Sequence, residues 1–214
     1  YRGNPSCSGP AVYASGDGGY SWSEHTVTEA IGMQQGWHAH EVSTATDAAG
    51  NVYAMWIGDG MMPWVAWSTD HGDSWSEPLM VAAPRAEEAG FPTLFAGADR
   101  RVAFGSPGEF PAPARLRRFL GVITDAHAAN PLITTVIVNE FDDILDAGDN
   151  CGDIRCGGFG DFIDIEIDDE GRPWIALAHN VRNEEAIIGT WTTGPSLFGD
   201  EITQLPMLPA GGNT

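Results

Sequence analysis

The chain has no lysine, only three cysteines and no long apolar run. All ten basic residues are arginine and 30 are acidic, which gives a formal net charge of −20. Phosphate binding needs positive charge, so this balance argues against a nucleic-acid partner and against an anionic membrane surface. No apolar stretch is long enough to span a bilayer, so we expect no membrane insertion. The acidity is consistent with solubility in salty or calcium-containing surroundings.

The cysteines suggest an oxidising compartment. Cys151 and Cys156 flank a short Gly- and Asp-rich loop, and a local disulfide between them is our first interpretation. A metal site is the weaker alternative, since no matching Cys/His pair stands nearby. Cys7 is left over, either free or paired with a segment outside this chain. No signal peptide is visible, and we interpret the chain as the mature or trimmed form of a secreted or cell-surface protein.

Helical periodicity is absent and glycine is abundant, with 27 residues, which favours an all-β fold. One pattern occurs twice: Ser, any residue, Asp, any residue, Gly, any two residues, Trp. Its two copies lie about 53 residues apart and each stands between alternating apolar segments, as in a strand, a tight turn and a strand. The residues of the pattern are Ser15, Asp17, Gly19 and Trp22 in the first copy, and Ser68, Asp70, Gly72 and Trp75 in the second.

The two copies resemble the Asp box of BNR-repeat β-propellers, whose best-known members are sialidases. The resemblance implies four-stranded antiparallel blades, with each box in the turn between the third and fourth strands. It places the boxes at the edge of the blade away from the usual site, so Asp17 and Asp70 are expected to be structural. We expect Trp22 and Trp75 to be largely buried beneath their hairpins.

A longer repeat surrounds the boxes. Residues 40–54 align without a gap on residues 161–175, and residues 90–104 form a weaker third copy. These segments predict the first and second strands of successive blades, with blade parts at about 1–32, 36–83, 88–141 and 158–206. The count is about three and a half to four blades, fewer than the six or seven that the resemblance implies for a closed ring. We therefore expect another chain or segment to complete the propeller.

The start of each first strand and the loops beside it are expected to form the functional face. Ligand-binding candidates on this face are His38, His40, Trp64, His179 and Arg182. His38 and His40 share one face of a strand, which suits a metal site, a proton-transfer pair or polar residues hydrogen-bonded at a channel mouth. Catalytic candidates are the carboxylates of Glu41, Asp161 and Asp164.

An acidic loop follows the third repeat and is rich in oxygen ligands. Calcium takes six to eight such ligands, which makes Ca²⁺ a candidate cofactor at Asp142, Asp146, Asp149 and Asp153. The spacing differs from that of an EF-hand, and a solvated acidic loop is the alternative.

The resemblance to sialidases does not extend to their catalytic residues. Family sialidases use three arginines for the substrate carboxylate, a tyrosine paired with a glutamate, and an aspartate. Here Tyr1 and Arg2 only partly match the first arginine motif, and all four tyrosines, the last of them Tyr53, precede the later blades. We therefore expect a glycan- or protein-binding or structural extracellular module that does not hydrolyse sialosides by itself. The alternative is a glycoside hydrolase whose catalytic residues lie partly outside this chain.

Overall fold

The computed structural model describes residues 9–34, 41–110, 115–138, 163–179 and 185–203. These residues form antiparallel β-sheets joined by turns, and their only helical element is a single 3-10 turn at Asp59–Met61. The predicted all-β, propeller-type fold is confirmed. No helix in the described ranges has the length and apolar character needed to cross a bilayer.

The first two sheets each contain one of the two repeated turns. A strand pair is formed by β1 (Ala11–Ala14) and β2 (Ser23–Thr26). A four-stranded sheet follows in the order β3 (Val42–Thr46), β4 (Val52–Gly58), β5 (Met62–Ser68) and β6 (Leu79–Met80). The turn around Asp17 joins β1 to β2, and the turn around Asp70 joins β5 to β6. The second turn therefore connects the third and fourth strands of its sheet, as predicted.

The third sheet has a divided innermost strand. It contains β7 (Glu88–Ala89), β8 (Thr93–Ala96), β9 (Val102–Phe110), β10 (Arg115–Ile123) and β11 (Ile133–Ile137). Both β7 and β8 pair with β9, one near each end. The repeat copy at 90–104 predicts one uninterrupted first strand followed by a second. The strand is interrupted because Phe91 has a positive φ of 40°, which breaks the extended conformation.

The fourth sheet is three-stranded and is followed by a small hairpin. Its strands are β12 (Asp164–Ile167), β13 (Pro173–His179) and β14 (Glu185–Gly189). The hairpin consists of β15 (Gly194–Pro195) and β16 (Glu201–Ile202). The four-stranded blade expected over 158–206 predicts a fourth strand beside β14. Within the described residues, β16 pairs with β15 instead.

Three apolar clusters hold the sheets face to face. Val27, Ala54 and Ala66 lie between the β1–β2 pair and the β3–β6 sheet. Tyr53, Phe104 and Phe119 belong to the cluster between the second and third sheets. Leu120, Ile165, Ile175 and Leu197 belong to the cluster between the third and fourth sheets. This face-to-face stacking of consecutive antiparallel sheets is the arrangement of a β-propeller.

The strands of every sheet end at one of two sides of the molecule, and different turns lie at each side. In the second sheet, Thr46, Val52 and Ser68 are register partners at one end, beside the Asp47 and Asp70 turns. Gly58 and Met62 are partners at the other end. We call the first the box end and the second the opposite end. In the third and fourth sheets, the opposite end is marked by the pairs Phe110–Arg115 and His179–Glu185.

Candidate functional site

The two Asp-box turns have the same internal hydrogen bonds. In the second turn, Ser68 Oγ donates to Asp70 Oδ1 at 2.7 Å and accepts from the Gly72 amide at 2.8 Å. Asp70 Oδ1 also accepts the Ser74 amide at 2.9 Å, and Trp75 Nε1 donates to the Gly72 carbonyl at 3.0 Å. Every one of these bonds recurs in the first turn, among Ser15, Asp17, Gly19, Ser21 and Trp22. The aspartates therefore fold the turn and are committed to its own groups.

A serine that the sequence pattern left unassigned completes each turn. Ser21 Oγ donates to Asp17 Oδ2 at 2.7 Å, and Ser74 Oγ makes the same bond to Asp70 Oδ2. The full pattern is thus Ser-x-Asp-x-Gly-x-Ser-Trp. The signal was present in the sequence, because serine stands at the seventh position of both copies.

The hydrogen bonds hold both carboxyl groups ionised. Bonds from the backbone and side chain of Ser21, and then from Ser15, lower the pKa of Asp17 from 3.8 to about 2. Bonds from the side chain and backbone of Ser74, and then from Ser68, lower the pKa of Asp70 to the same value. Donors that bond only the charged form favour it, which accounts for the direction of the shift.

A second kind of turn also occurs twice at the box end. Asp47 Oδ1 accepts the Asn51 amide at 3.0 Å, while its Oδ2 accepts the Tyr53 hydroxyl at 2.8 Å. At the equivalent positions 121 residues later, Asp168 Oδ1 accepts the Arg172 amide at 2.9 Å and its Oδ2 accepts Trp174 Nε1 at 3.0 Å. These matching bonds confirm the alignment over residues 47–53 and 168–174.

Burial and hydrogen bonding oppose each other at these two carboxylates. Burial raises the pKa of Asp47, but bonds from Asn51, the Arg100 amide and Tyr53 outweigh it and the net shift is downward. Asp168 behaves in the same way, with Trp174 and Arg172 among its donors. Both aspartates are therefore structural anions.

Neighbouring sheets are tied together at the box end. The Ala48 amide donates to the Gly97 carbonyl at 2.9 Å, and the Ala98 amide donates to the Leu197 carbonyl at 2.8 Å. His127 stacks on Trp67 with ring centroids 5.4 Å apart, and its Nε2 lies 3.3 Å from the Tyr53 hydroxyl. These contacts make the box end a scaffold of interlocked turns.

The opposite end has a small apolar cluster and several carboxylates. Ile57, Ala89 and Met61 form a small apolar cluster that packs the Asp59–Met61 turn next to β7. Four carboxylates stand around it: Asp59, Glu87 and Glu88 are exposed and Glu109 is half-buried. Glu88 and Glu109 are direct register partners, an unfavourable arrangement for like charges in a sheet.

A buried arginine lies in β10 of the third sheet. Arg118 is fully inaccessible to solvent, and burial lowers its pKa to about 10. Its register partner is Pro107, in the half of the strand nearer the opposite end. No motif marks Arg118 in the sequence, although it belongs to a visible run of arginines with Arg115 and Arg117.

Four predicted site residues are described, and all lie towards the opposite end. Glu41 precedes β3, Asp164 begins β12, Trp64 lies in β5 and His179 ends β13. Asp164 is exposed, and its Oδ1 accepts the Ile165 amide at 2.9 Å. The Nε1 atom of Trp64 is buried without a hydrogen-bond partner, and the ring packs on the Val27, Ala54 and Ala66 cluster.

The remaining site predictions fall outside the described residues. They are His38, His40, Asp161 and Arg182, the calcium candidates Asp142, Asp146, Asp149 and Asp153, and the cysteines Cys7, Cys151 and Cys156. Among the described residues, no group of three or more His, Cys, Asp or Glu side chains is arranged to hold a metal ion.

One prediction about the boxes is wrong. Trp22 was expected to be largely buried, but 62% of its surface is exposed. Trp75, in the same turn geometry, is half-buried against the apolar cluster beside β1 and β2. The difference arises because the second box has a neighbouring hairpin against it and the first, in the described residues, does not.

Comparison with known proteins finds similarity at the level of the fold. No family model and no curated protein matches the chain. Among solved structures, a protein of unknown function from Dyadobacter fermentans is 13% identical with a TM-score of 0.52, over 84% of this chain and 44% of its own. An intramolecular trans-sialidase from Ruminococcus gnavus is 11% identical with a TM-score of 0.47, over 85% and 38%.

An exo-1,5-α-L-arabinanase from a bovine ruminal metagenomic library is 13% identical with a TM-score of 0.43, over 90% of this chain and 68% of its own. The chain thus spans less than half the length of the first two structures. Sequence identities this low support a similarity of fold and nothing about activity. The class that the geometry defines is an all-β protein of stacked propeller-type sheets.

Proposed function

We propose that the chain is an Asp-box propeller of the BNR-repeat type that binds a glycan at its opposite end, outside the cell. The observation that supports this proposal most is that the two ends use their carboxylates differently. At the box end, the carboxylates of Asp17, Asp47, Asp70 and Asp168 are all bonded within their own turns. The exposed carboxylates around the Asp59–Met61 turn have no such role, and so they are available to a ligand.

The charge of this end favours a neutral glycan. Carboxylates accept hydrogen bonds from sugar hydroxyl groups, whereas they repel a sialic acid carboxylate. Met61 supports the assignment, since its positive φ of 59° is a strained conformation of the kind that accumulates at functional sites. Other Asp-box propellers act on carbohydrates, and this resemblance supports glycan binding by analogy.

The experiment is a binding assay on immobilised neutral and sialylated oligosaccharides. The variant Glu88→Gln/Glu109→Gln is compared with Glu77→Gln, which changes an exposed carboxylate next to the second box. We expect the native chain to bind a neutral glycan, the double variant to bind at least about tenfold more weakly, and the control to bind normally. Equal binding by the double variant, or capture of only a protein partner, would contradict the proposal.

A glycoside hydrolase is the second candidate, favoured by the positions of Glu41 and Asp164. Each stands at the start of a first strand and at the same end of its sheet. A two-carboxylate mechanism would place two such groups on either side of the scissile bond. The acidic surroundings repel the carboxylate of a sialoside, so we expect no release of sialic acid from a fluorogenic sialoside. Release that is lost in Asp161→Asn would establish the hydrolase and overturn this expectation.

The extracellular location has its own test. A disulfide between Cys151 and Cys156 would fit an oxidising compartment. We expect mass spectrometry of unreduced peptides to recover the two cysteines as one linked pair. Recovery of both as alkylated thiols would remove this support.

A further inference from the structure

The first hairpin presents a face that resembles an internal blade surface. Val12 in β1 packs on the cluster beside the second sheet. Side chains alternate along a strand, so the ring of Tyr13 lies on the other face, where 58% of its surface is exposed. Trp22 is 62% exposed and Tyr20 is 93% exposed. In the described residues, β1 pairs with β2 alone. We call this surface, with Tyr13 and Trp22, the first end face.

The repeat indicates what should cover this face. Trp75 packs on the apolar cluster that contains Val12 and Val27, so the preceding hairpin covers the second box. His25 Nδ1 lies 3.7 Å from Asp73 Oδ1, which joins the same two hairpins. Trp22 makes the same turn bond to Gly19 as Trp75 makes to Gly72. The first box therefore offers the ring surface that, one repeat later, is covered by another sheet.

The fourth sheet presents an equivalent face at the other end of the stack. Ile165 and Ile175 pack towards the third sheet. Asp164 and Ala176 precede or follow them directly in β12 and β13, so their side chains point the other way. With Ile188 of β14 they form one row of register partners. All three are exposed, with 68% of Ile188 accessible. We call this row the last end face.

We propose that the first end face of one copy packs on the last end face of a second copy, so that two chains close one ring. Both faces continue the sheet-on-sheet packing that already joins the consecutive sheets of the chain. The faces are different surfaces, so a ring of two copies contains the same first-to-last contact twice, and a two-fold axis relates the two contacts. Within the described residues, the stack has three sheets of three or more strands and two strand pairs. Two copies would supply about six to eight sheets, within the range of closed propellers.

Charge sets the conditions under which the two copies associate. Each chain has a net charge of −20, and Glu24 on the first end face would approach Asp164 and Glu166 on the last. Like charges repel over about a Debye length, which shortens as salt is added. The association therefore strengthens with ionic strength, the reverse of the behaviour of an interface held by ion pairs.

The experiment measures the mass of the full chain in solution, by light scattering after size exclusion, at low and high salt. Trp22→Glu and Ile188→Glu each add a negative charge to one end face, where it would be buried against carboxylates of the other. Leu132→Glu is the matched control, because Leu132 is 67% exposed and directly precedes β11 of the third sheet, away from both faces. We expect the native chain and Leu132→Glu to be dimers at high salt, and each end-face variant to be a monomer. Far-ultraviolet circular dichroism checks that all variants are folded.

Mixing the two end-face variants separates this arrangement from other dimers. In a mixed pair, one contact joins two native faces and the other joins two altered faces. Partial return of dimer on mixing, with neither variant dimeric alone, is the result that the proposal requires. A native chain that stays monomeric at high salt, or a dimer that survives Ile188→Glu, overturns it. The outcome is independent of glycan binding, which is measured separately.

Discussion

The hairpins around Asp17 and Asp70 share a turn and differ in their surroundings. Their serine, aspartate and tryptophan side chains make the same hydrogen bonds, and both aspartates have a pKa of about 2. Yet Ser68 and Gly72 are buried, whereas Gly19 is exposed and Ser15 is half-exposed. The comparison shows that eight residues are enough to specify the turn. The packing of the turn depends on which sheet lies beside it, and this is a tertiary property.

The largest expected difference between the hairpins is at the tryptophans. Trp75→Ala removes a half-buried ring and should lower the free energy of unfolding by about 2–3 kcal/mol. Trp22→Ala, at the exposed ring, should cost under about 1 kcal/mol. Urea unfolding of the two variants measures both values. Equal losses would show that the first ring is also packed, and the contrast between the hairpins would disappear.

A smaller difference is expected at the first serine of each turn. Ser68→Ala leaves the buried Gly72 amide without its acceptor, at a cost of about 1–3 kcal/mol. Ser15→Ala leaves the exposed Gly19 amide to water and should cost less than about 1 kcal/mol. The same urea experiment applies, with the other hairpin as the internal control. A larger loss for Ser15→Ala than for Ser68→Ala would reverse the comparison.

No difference is expected in the titration of the two aspartates. Both have a folded-state pKa lowered from 3.8 to about 2. The unfolded chain therefore binds protons more readily as the pH falls, so their stabilisation is present above about pH 4 and is lost towards pH 2. Carboxyl ¹³C titration by NMR measures both values. A gap of more than about one pKa unit would mean that surroundings, rather than the turn, set the ionisation.

Most of the local structure was readable from spacing. The Asp-box pattern located the turns after β1 and β5, and the alignment of 40–54 with 161–175 anticipated that Tyr53 and Trp174 occupy the same position. Side-chain bonds within a turn involve residues two to six apart, so a short pattern contains all of the partners. Ser21 and Ser74 show that even this pattern was longer than first defined.

Contacts between segments distant in the sequence could not be predicted from residue spacing. The exposure of Trp22 depends on a neighbour that the first hairpin lacks in the described residues. The β15–β16 hairpin departs from the repeat, because Leu197 is drawn into the core between the third and fourth sheets. Strand order alone predicted that Glu41 and Asp164 stand at the starts of their strands, as the structure has them. The distance between side chains on separate sheets depends on how the sheets pack, which a linear pattern does not record.

The hydrogen bonds between successive turns couple the unfolding of neighbouring sheets. The Ala48 amide is bonded to the Gly97 carbonyl, the Ala98 amide to the Leu197 carbonyl, and the Leu197 amide to the Gly171 carbonyl. Turn amides usually exchange with solvent quickly, because local fraying exposes them. Here exposure of one turn requires separation of two sheets, so these amides should exchange as slowly as those of the central strands. The sheets then unfold as one coupled array, in which each unit is stabilised by its neighbour.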